Sequence, residues 1–313
     1  MAKKKKVPAL VKEVKESKIK QKKANLHVSY SQISTWANCP KQWELMYLKK
    51  LLPYDPSIHA VFGTAFHETL QTYLDVLYNE KVKDAEALNL KTMLYDNMVK
   101  AFRSTKAQNG HQSFSSLEEM NMFYQDGIHI LDFITKKRRA YFSTKGTYLA
   151  GIETLLYQEL APGVMFKGFI DLVFYNENTD RWTIVDIKTS TSGWSKWAKT
   201  DDKKIAQILL YKQFFSKQFN VPIENIDVEY FIVKRRVPVD AEFAAMTKRV
   251  QEFKPAAGTR KTKQAVNLME AFVEDTIGAT GYKDYKPYIA TPSKSVCKFC
   301  SAKRMHLCDK YVM

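Results

Sequence analysis

Three ionisable residues, Asp171, Asp186 and Lys188, sit on two short apolar segments joined by a polar turn. The first segment reads Gly168-Phe169-Ile170-Asp171-Leu172-Val173-Phe174, Asn176 to Arg181 form the turn, and the second reads Ile184-Val185-Asp186-Ile187-Lys188. Apolar, β-branched segments bracketing a polar turn predict an antiparallel hairpin. A turn centred between Asn178 and Thr179 sets Asp171 opposite Asp186, with Cβ atoms about 5 Å apart. Strand alternation then puts Lys188 on the same face as Asp186. Two carboxylates that close oppose each other's ionisation, and a divalent cation relieves this. Hard oxygen donors of this kind suit Mg²⁺ or Mn²⁺. A cation held there activates water and stabilises charge on a phosphate, with Lys188 orienting the nucleophile or stabilising the same charge. An Asp-Lys pair on a solvated hairpin face would need no metal, and the hairpin alone leaves both readings open.

Other residues could share the chemistry. His67 ends Gly63-Thr64-Ala65-Phe66-His67 on a predicted helix upstream. Gln207 and Tyr211 fall on a predicted helix after Lys188, and their i, i+4 spacing places them on one face. Between Lys188 and that helix, Trp194, Lys196 and Trp197 suit stacking on unpaired bases and gripping phosphates, although either Trp could instead pack beneath a loop. Lys234, Arg235 and Arg236 end a predicted strand and could line the same groove or a solvated edge. The four cysteines are Cys39, Cys297, Cys300 and Cys308, the last three spaced C-x2-C-x7-C. A zinc ribbon usually keeps its ligands in two local pairs. Here one cysteine lies 258 residues before the other three. His306 lies inside the triplet and could substitute as a ligand, but four cysteines already suffice.

The elements that must position these groups follow from pattern. Ile33, Trp36, Trp43 and Tyr47 mark one face of a helix over residues 29–52 that Pro40 interrupts near Cys39. Helices are predicted over residues 62–80, 84–105, 117–142 and 203–219. Strands are predicted over 151–160, 165–175, 182–189 and 226–234. Residues 239–280 read as mostly helical with a break near 254–262, and the stretch from 284 as loop. Neither a Walker A motif nor GxGxxG occurs.

The chain has 313 residues, 45% of them hydrophobic, enough for one sizeable core. No apolar run is long enough to span a bilayer, and no apolar segment follows the N-terminal lysines as a secretory signal would require. An intracellular protein is expected, and hence metal ligation by the cysteines rather than disulfides. The net charge is +16, half of it from residues 1–24, which hold ten Lys against two Glu. Residues 1–26 read as a flexible basic tail, in which Lys3 to Lys6 could serve as a nuclear address. The remaining positive charge favours a polyanionic partner.

In order, Gly63…His67, Gly168…Asp171, Asp186-Ile187-Lys188 and Gln207…Tyr211 resemble GxxxH, GxxD, (D/E)xK and QxxxY, the pattern of the RecB/AddB/Dna2/Cas4-like branch of the PD-(D/E)XK nucleases. The resemblance spans about residues 29 to 308. It implies an α/β, restriction-endonuclease-like fold over residues 27–313: a mixed sheet flanked by helices, a helical insertion at about 75–145, and a cysteine segment over 284–313. It also implies that His67, Asp171 and Asp186 ligate the metal with the Ile187 carbonyl, that Lys188 is the catalytic lysine, and that Gln207 and Tyr211 hold the DNA strand. An acidic residue often precedes GxxD in this branch. Glu153 stands at a suitable distance, with Glu159 as the rival.

The segment Ser31-Gln32-Ile33-Ser34-Thr35-Trp36-Ala37-Asn38-Cys39-Pro40-Lys41-Gln42-Trp43 and the distant triplet resemble the iron–sulfur staple of the same branch. The implied cofactor is a [4Fe–4S] cluster on Cys39, Cys297, Cys300 and Cys308, with Zn²⁺ as the alternative. Fastening the chain ends would restrict the unfolded chain by about 4–5 kcal/mol, on the analogy of disulfides closing loops of roughly 100 residues or more. The implied activity is metal-dependent hydrolysis of DNA, mostly exonucleolytic and at free or single-stranded ends, in recombination, repair or replication. The setting would be cytoplasmic, bacterial or phage-infected, with a nuclear one open through the lysine run. A separate helicase or recombination protein could be the partner. A catalytically silent DNA-binding scaffold on the same fold is the alternative.

Overall fold

The computed structural model describes residues 7–17, 26–52, 55–238, 247–279, 281–298, 300–310 and 312. The Lys3 to Lys6 run lies outside them. A sheet carries strands β1 (Leu26–Val28), β2 (Thr147–Ala161), β3 (Val164–Asn176), β4 (Arg181–Ser190), β5 (Ile226–Lys234) and β6 (Val250–Phe253). The pairings β2–β3, β3–β4 and β5–β6 are antiparallel, whereas β1–β3 and β4–β5 are parallel. The sheet is therefore mixed, and the α/β architecture is the one the motif order implies.

Each sheet face buries its own apolar cluster, a three-layer solution to covering both faces. On one face, Phe166, Ile170, Ile184 and Tyr230 pack with Ile208, Phe214 and Phe215 of helix α10 (Asp202–Phe219) and with Phe272 of α11 (Thr259–Thr276). The same cluster takes Ile33 of α2 (Tyr30–Asn38) and Trp43 of the short α3 (Pro40–Trp43). On the other face, Leu172, Val185, Ile187 and Phe231 pack against Phe62, Phe66 and Leu70 of α4 (Ile58–Asn79), and against α6 (Leu90–Gln108) and α7 (Leu117–Lys136). Four of the longer helices carry side-chain caps for their orphan N–H groups. Ser57 caps α4, Asn89 caps α6, Ser116 caps α7, and Asp201 caps α10 through Lys203 and Lys204. With α5 (Val82–Glu86) and α8 (Arg138–Tyr141), helices occupy almost all of residues 82–141. No described helix is long and apolar enough to cross a membrane.

Two sequence expectations require correction. Residues 9–15, placed in a tail without apolar period, form helix α1 (Ala9–Lys15), whose Val11 and Val14 are buried in the core cluster. Two valines at i, i+3 suffice to seat one helical face, and the surrounding lysines conceal that short pattern. Residues 250–253, placed in a mostly helical stretch, form β6 antiparallel to β5. Four residues are too few to display strand alternation, and pairing decides their conformation. Helix follows only from Thr259.

Candidate active site

The site lies where the sheet splits. One edge of β3 pairs with β2 over most of its length, while the other is shared by two strands. β1 takes Val164 to Phe166 and β4 takes Leu172 to Asn176, so among the described residues 167–171 have no strand partner on that edge. The β3–β4 register is the one the turn predicts, but the ladder ends at Leu172–Val185, one step before Asp171 and Asp186. The Asp171 carboxylate continues the pairing: Ile187 N–H donates to its Oδ2 at 2.6 Å. Across β2, Ile152 pairs with Leu172 and Thr154 with Ile170, which sets Glu153 opposite Asp171. Three acids thus align across β2, β3 and β4. Glu159 pairs with Met165, six residues along the strand and roughly 20 Å away at the rise of a β-strand.

Glu153 has φ of 48°, a left-handed conformation that costs a non-glycine residue on the order of 1–3 kcal/mol. The backbone is therefore distorted locally at the acid, within a strand whose register is the same on both sides. Its Oε1 accepts from Gln71 Nε2 at 2.6 Å. Gly168 meets a different demand, close approach: a Cβ there would stand 3.0 Å from the Tyr211 ring and 2.9 Å from that of Phe166.

Asp186 is only 2% exposed. Lys188 Nζ lies 2.8 Å from its Oδ2, and this ion pair is the contact that meets that buried oxygen. The Lys188 ammonium offsets part of the cost of burying this carboxylate, and a divalent cation would offset more. Lys188 donates to Gln207 Oε1 at 3.1 Å, and Gln207 Nε2 donates to Tyr211 OH at 3.1 Å. The QxxxY pair therefore continues the lysine's hydrogen-bond chain along α10. His67 Nδ1 stands 3.7 Å from Asp171 Oδ2.

The electrostatics follow from burial. Desolvation, then the Asp186 charge, raises the Asp171 pKa well above the usual carboxylate range, and the Ile187 N–H opposes this. Burial raises Asp186 as well, against the attraction of Lys188. Burial also works against the Lys188 charge, but Asp186 and Asp171 together hold its pKa above the ordinary lysine value. Burial and then Lys188 push His67 down to about 4, against a hydrogen bond to the Ile187 backbone that alone would raise it. A neutral imidazole is the ligating form. Three carboxylates, one imidazole and a strand carbonyl make a donor set suited to Mg²⁺ or Mn²⁺. Among the described residues, no group of three His, Cys, Asp or Glu side chains is drawn into ligand geometry. Protein donors face these acids instead: Ile187 N–H meets Asp171, Gln71 meets Glu153, and Lys188 meets Asp186.

A sequence profile of the PD-(D/E)XK nuclease superfamily matches residues 27–308. The chain belongs to that superfamily. No curated protein sequence matches it. A crystal structure of a protein from Eubacterium rectale named "Putative exonuclease" is similar, with a TM-score of 0.47 and 13% identity over 80% of this chain and 79% of the other.

The four cysteines of this PD-(D/E)XK chain all line one cavity of about 20 Å³, roughly the room for one water. Cys39 and Cys297 are each 8% exposed. Cys297 ends α12 (Lys294–Cys297), and α13 (Ser301–Arg304) follows Cys300. Thr291 Oγ1 donates to the Asn38 carbonyl at 2.9 Å, holding the C-terminal segment against α2. His306 is not among the residues lining the cavity.

The two tryptophans divide. Trp194 packs on Tyr230 with ring centroids 4.7 Å apart, and its backbone N–H donates to Gln251 at 2.7 Å. Trp197, on α9 (Lys196–Thr200), is 84% exposed, and Lys196 beside it is exposed. Arg235 is 4% exposed, paired to Asp126 at 2.9 Å and 3.7 Å from the Phe123 ring centroid, so it ties β5 to α7 rather than lining an open edge. Sequence reasoning missed Gln71. Its signal was available, since it follows His67 at i, i+4 on the same helix face.

Proposed function

We propose that this protein is a divalent-metal-dependent DNA nuclease, with His67, Glu153, Asp171, Asp186 and the Ile187 carbonyl as metal donors and Lys188 as the catalytic lysine. The observation that carries this reading is the row of three acids across β2, β3 and β4, with Asp186 buried and the Lys188 ammonium against its Oδ2. When bound, Mg²⁺ or Mn²⁺ supplies Lewis-acid stabilisation of phosphate charge and a lowered pKa for water. The protein's own groups do the rest. Asp171 and Asp186 supply carboxylate oxygens at the split in the sheet, and a bound cation would favour their ionised forms. Lys188, positioned by Gln207 and Asp186, places its ammonium against the attacking water or the phosphate oxygens. Water attacks phosphorus, the P–O3′ bond breaks, and the 3′ oxygen takes up a proton, which leaves a 5′-phosphate and a 3′-hydroxyl. Gln207, Lys196 and the exposed Trp197 contact the strand, while Tyr211, 5% exposed, holds Gln207 in place from the core side. Trp194, committed to the core, supports that loop from beneath.

The substrate in this reading is DNA with a free or single-stranded end, and the action exonucleolytic, in a cytoplasmic setting and with a separate helicase or recombination partner. Cys39, Cys297, Cys300 and Cys308 hold a [4Fe–4S] cluster, or Zn²⁺ in the same place. What supports this is that all four cysteines line one small cavity, a thiolate set compatible with either group, although a cluster would need that cavity to widen. Protein purified anaerobically is expected to be brown with absorbance near 400 nm. A colourless protein carrying stoichiometric zinc would replace the cluster. Linear end-labelled and circular single-stranded DNA, incubated with Mn²⁺ or with EDTA, test the activity. Loss of label from the linear strand with the circle intact is expected, and cutting of the circle would make the enzyme an endonuclease.

A further inference from the structure

We propose that Gln71 is a positioning residue that fixes Glu153 as the third acid of the metal site, an inference that rests on the metal-dependent reading above. Gln71 is one helical turn after His67 on α4 and is 7% exposed. Its Nε2 donates to Glu153 Oε1 at 2.6 Å and reaches the Asp171 carbonyl oxygen at 3.4 Å. Both partners are acceptors, so the amide's orientation follows from them. One side chain thus bridges two neighbouring strands at the row that carries the acids.

Three features make this more than satisfaction of a buried amide. The residue it grips is the one whose backbone is left-handed within the strand, at φ of 48°, so regular strand alternation does not by itself set the direction of its side chain. The donor is neutral. A lysine or arginine at this position would cancel the carboxylate's charge and compete with a cation, whereas an amide fixes the rotamer and leaves the charge in place. It occupies Oε1, and Oε2 is the oxygen this assignment directs to the metal. His67 and Gln71 then divide the work along one face of α4, one as ligand and the other as holder of a ligand. Partners that orient metal ligands typically govern affinity about 10–100-fold.

The test measures Mn²⁺ affinity by titration calorimetry without DNA, and kcat and KM on a labelled oligonucleotide. The variants are Gln71→Met, Glu153→Gln and the double variant. Gln71→Met keeps length and apolar volume but removes the donor. Expected are an Mn²⁺ affinity about 10-fold weaker or more, a lower kcat with KM for DNA unchanged, and a double variant no worse than Glu153→Gln alone. Unchanged Mn²⁺ affinity in Gln71→Met, or losses that simply add in the double variant, would overturn the proposal and leave Gln71 a packing residue. Unchanged affinity in Glu153→Gln would overturn it as well, and this variant alters an exposed side chain, so it stays informative if Gln71→Met misfolds. Wild-type protein that binds no Mn²⁺ would remove the underlying nuclease reading, and the inference with it.

Discussion

The row of acids and the cysteine cavity are built in opposite ways. Glu153, Asp171 and Asp186 are fixed by strands buried on both faces, and each carboxylate already meets a protein donor at 2.6–2.8 Å. Cys297 ends a four-residue helix, Cys300 and Cys308 lie on either side of another, and Cys39 stands at the end of α2. Helices that short have little stability of their own. On the proposed reading, the strands hold the acids in a row without an ion, whereas the cysteine site would need its ligand to tie residues 294–308 to α2. Preorganisation suits a site that works on a substrate, and dependence on a ligand suits a staple.

The sharpest way to break this contrast is to neutralise an acid. Asp171→Asn is expected to lower cleavage by about 10³-fold, as loss of several kcal/mol of transition-state stabilisation would. In EDTA the same variant is expected to melt at or above the wild-type temperature. Burial raises the Asp171 pKa above its unfolded value, so the folded protein resists ionising this group at neutral pH, and an amide removes that resistance. A clear drop in metal-free melting temperature would show that Asp171 is structural.

Cys297→Ser is expected to do the reverse. It should lower the melting temperature by several degrees, reflecting loss of about 2–4 kcal/mol on the disulfide analogy, while protein that stays folded retains its affinity for Mn²⁺. Equal stability in the variant would remove the staple from the account.

A third pair separates the tryptophans. Trp197→Ala is expected to weaken single-stranded DNA binding by about 1–3 kcal/mol, the worth of one stacked base, with melting unchanged. Trp194→Ala should lower the melting temperature first, since its ring packs on Tyr230 and Phe253.

The smallest effect concerns pH. His67 is held down at about 4 by burial and Lys188, against an ordinary value near 6.5. Between these values the unfolded chain binds the proton and the folded chain does not. The stability contributed by the neutral imidazole is complete above about 6.5 and is lost as pH falls toward 4. Melting curves from pH 7 to 4 should therefore fall more steeply for wild type than for His67→Asn, and parallel curves would contradict the buried neutral histidine.

Much of this site was legible because the hairpin is local. The turn between Asn176 and Arg181 fixes the register, and alternation then aligns Asp186 with Lys188. Gly168 was legible only as a motif letter; its reason, the Tyr211 ring against its Cα, needs α10 docked on the sheet. The split that opens the site was not legible. It depends on β1, three residues long, pairing in parallel with Val164 to Phe166 from far along the chain. Trp194 and Trp197 look alike in sequence, with Lys196 between them, and only docking of the loop on β5 and β6 separates core from surface. Arg235 reads as part of a basic cluster until Asp126 and Phe123 of α7 close over it.

The most direct test incubates wild-type protein and Asp186→Ala with a labelled DNA strand in Mg²⁺, in Mn²⁺ and in EDTA. Cleavage that requires the cation and disappears in the variant, with DNA binding retained, is the result this account predicts. Cleavage that persists in Asp186→Ala, or firm binding by wild type without cleavage in either metal, would contradict it and leave a DNA-binding protein on a nuclease fold.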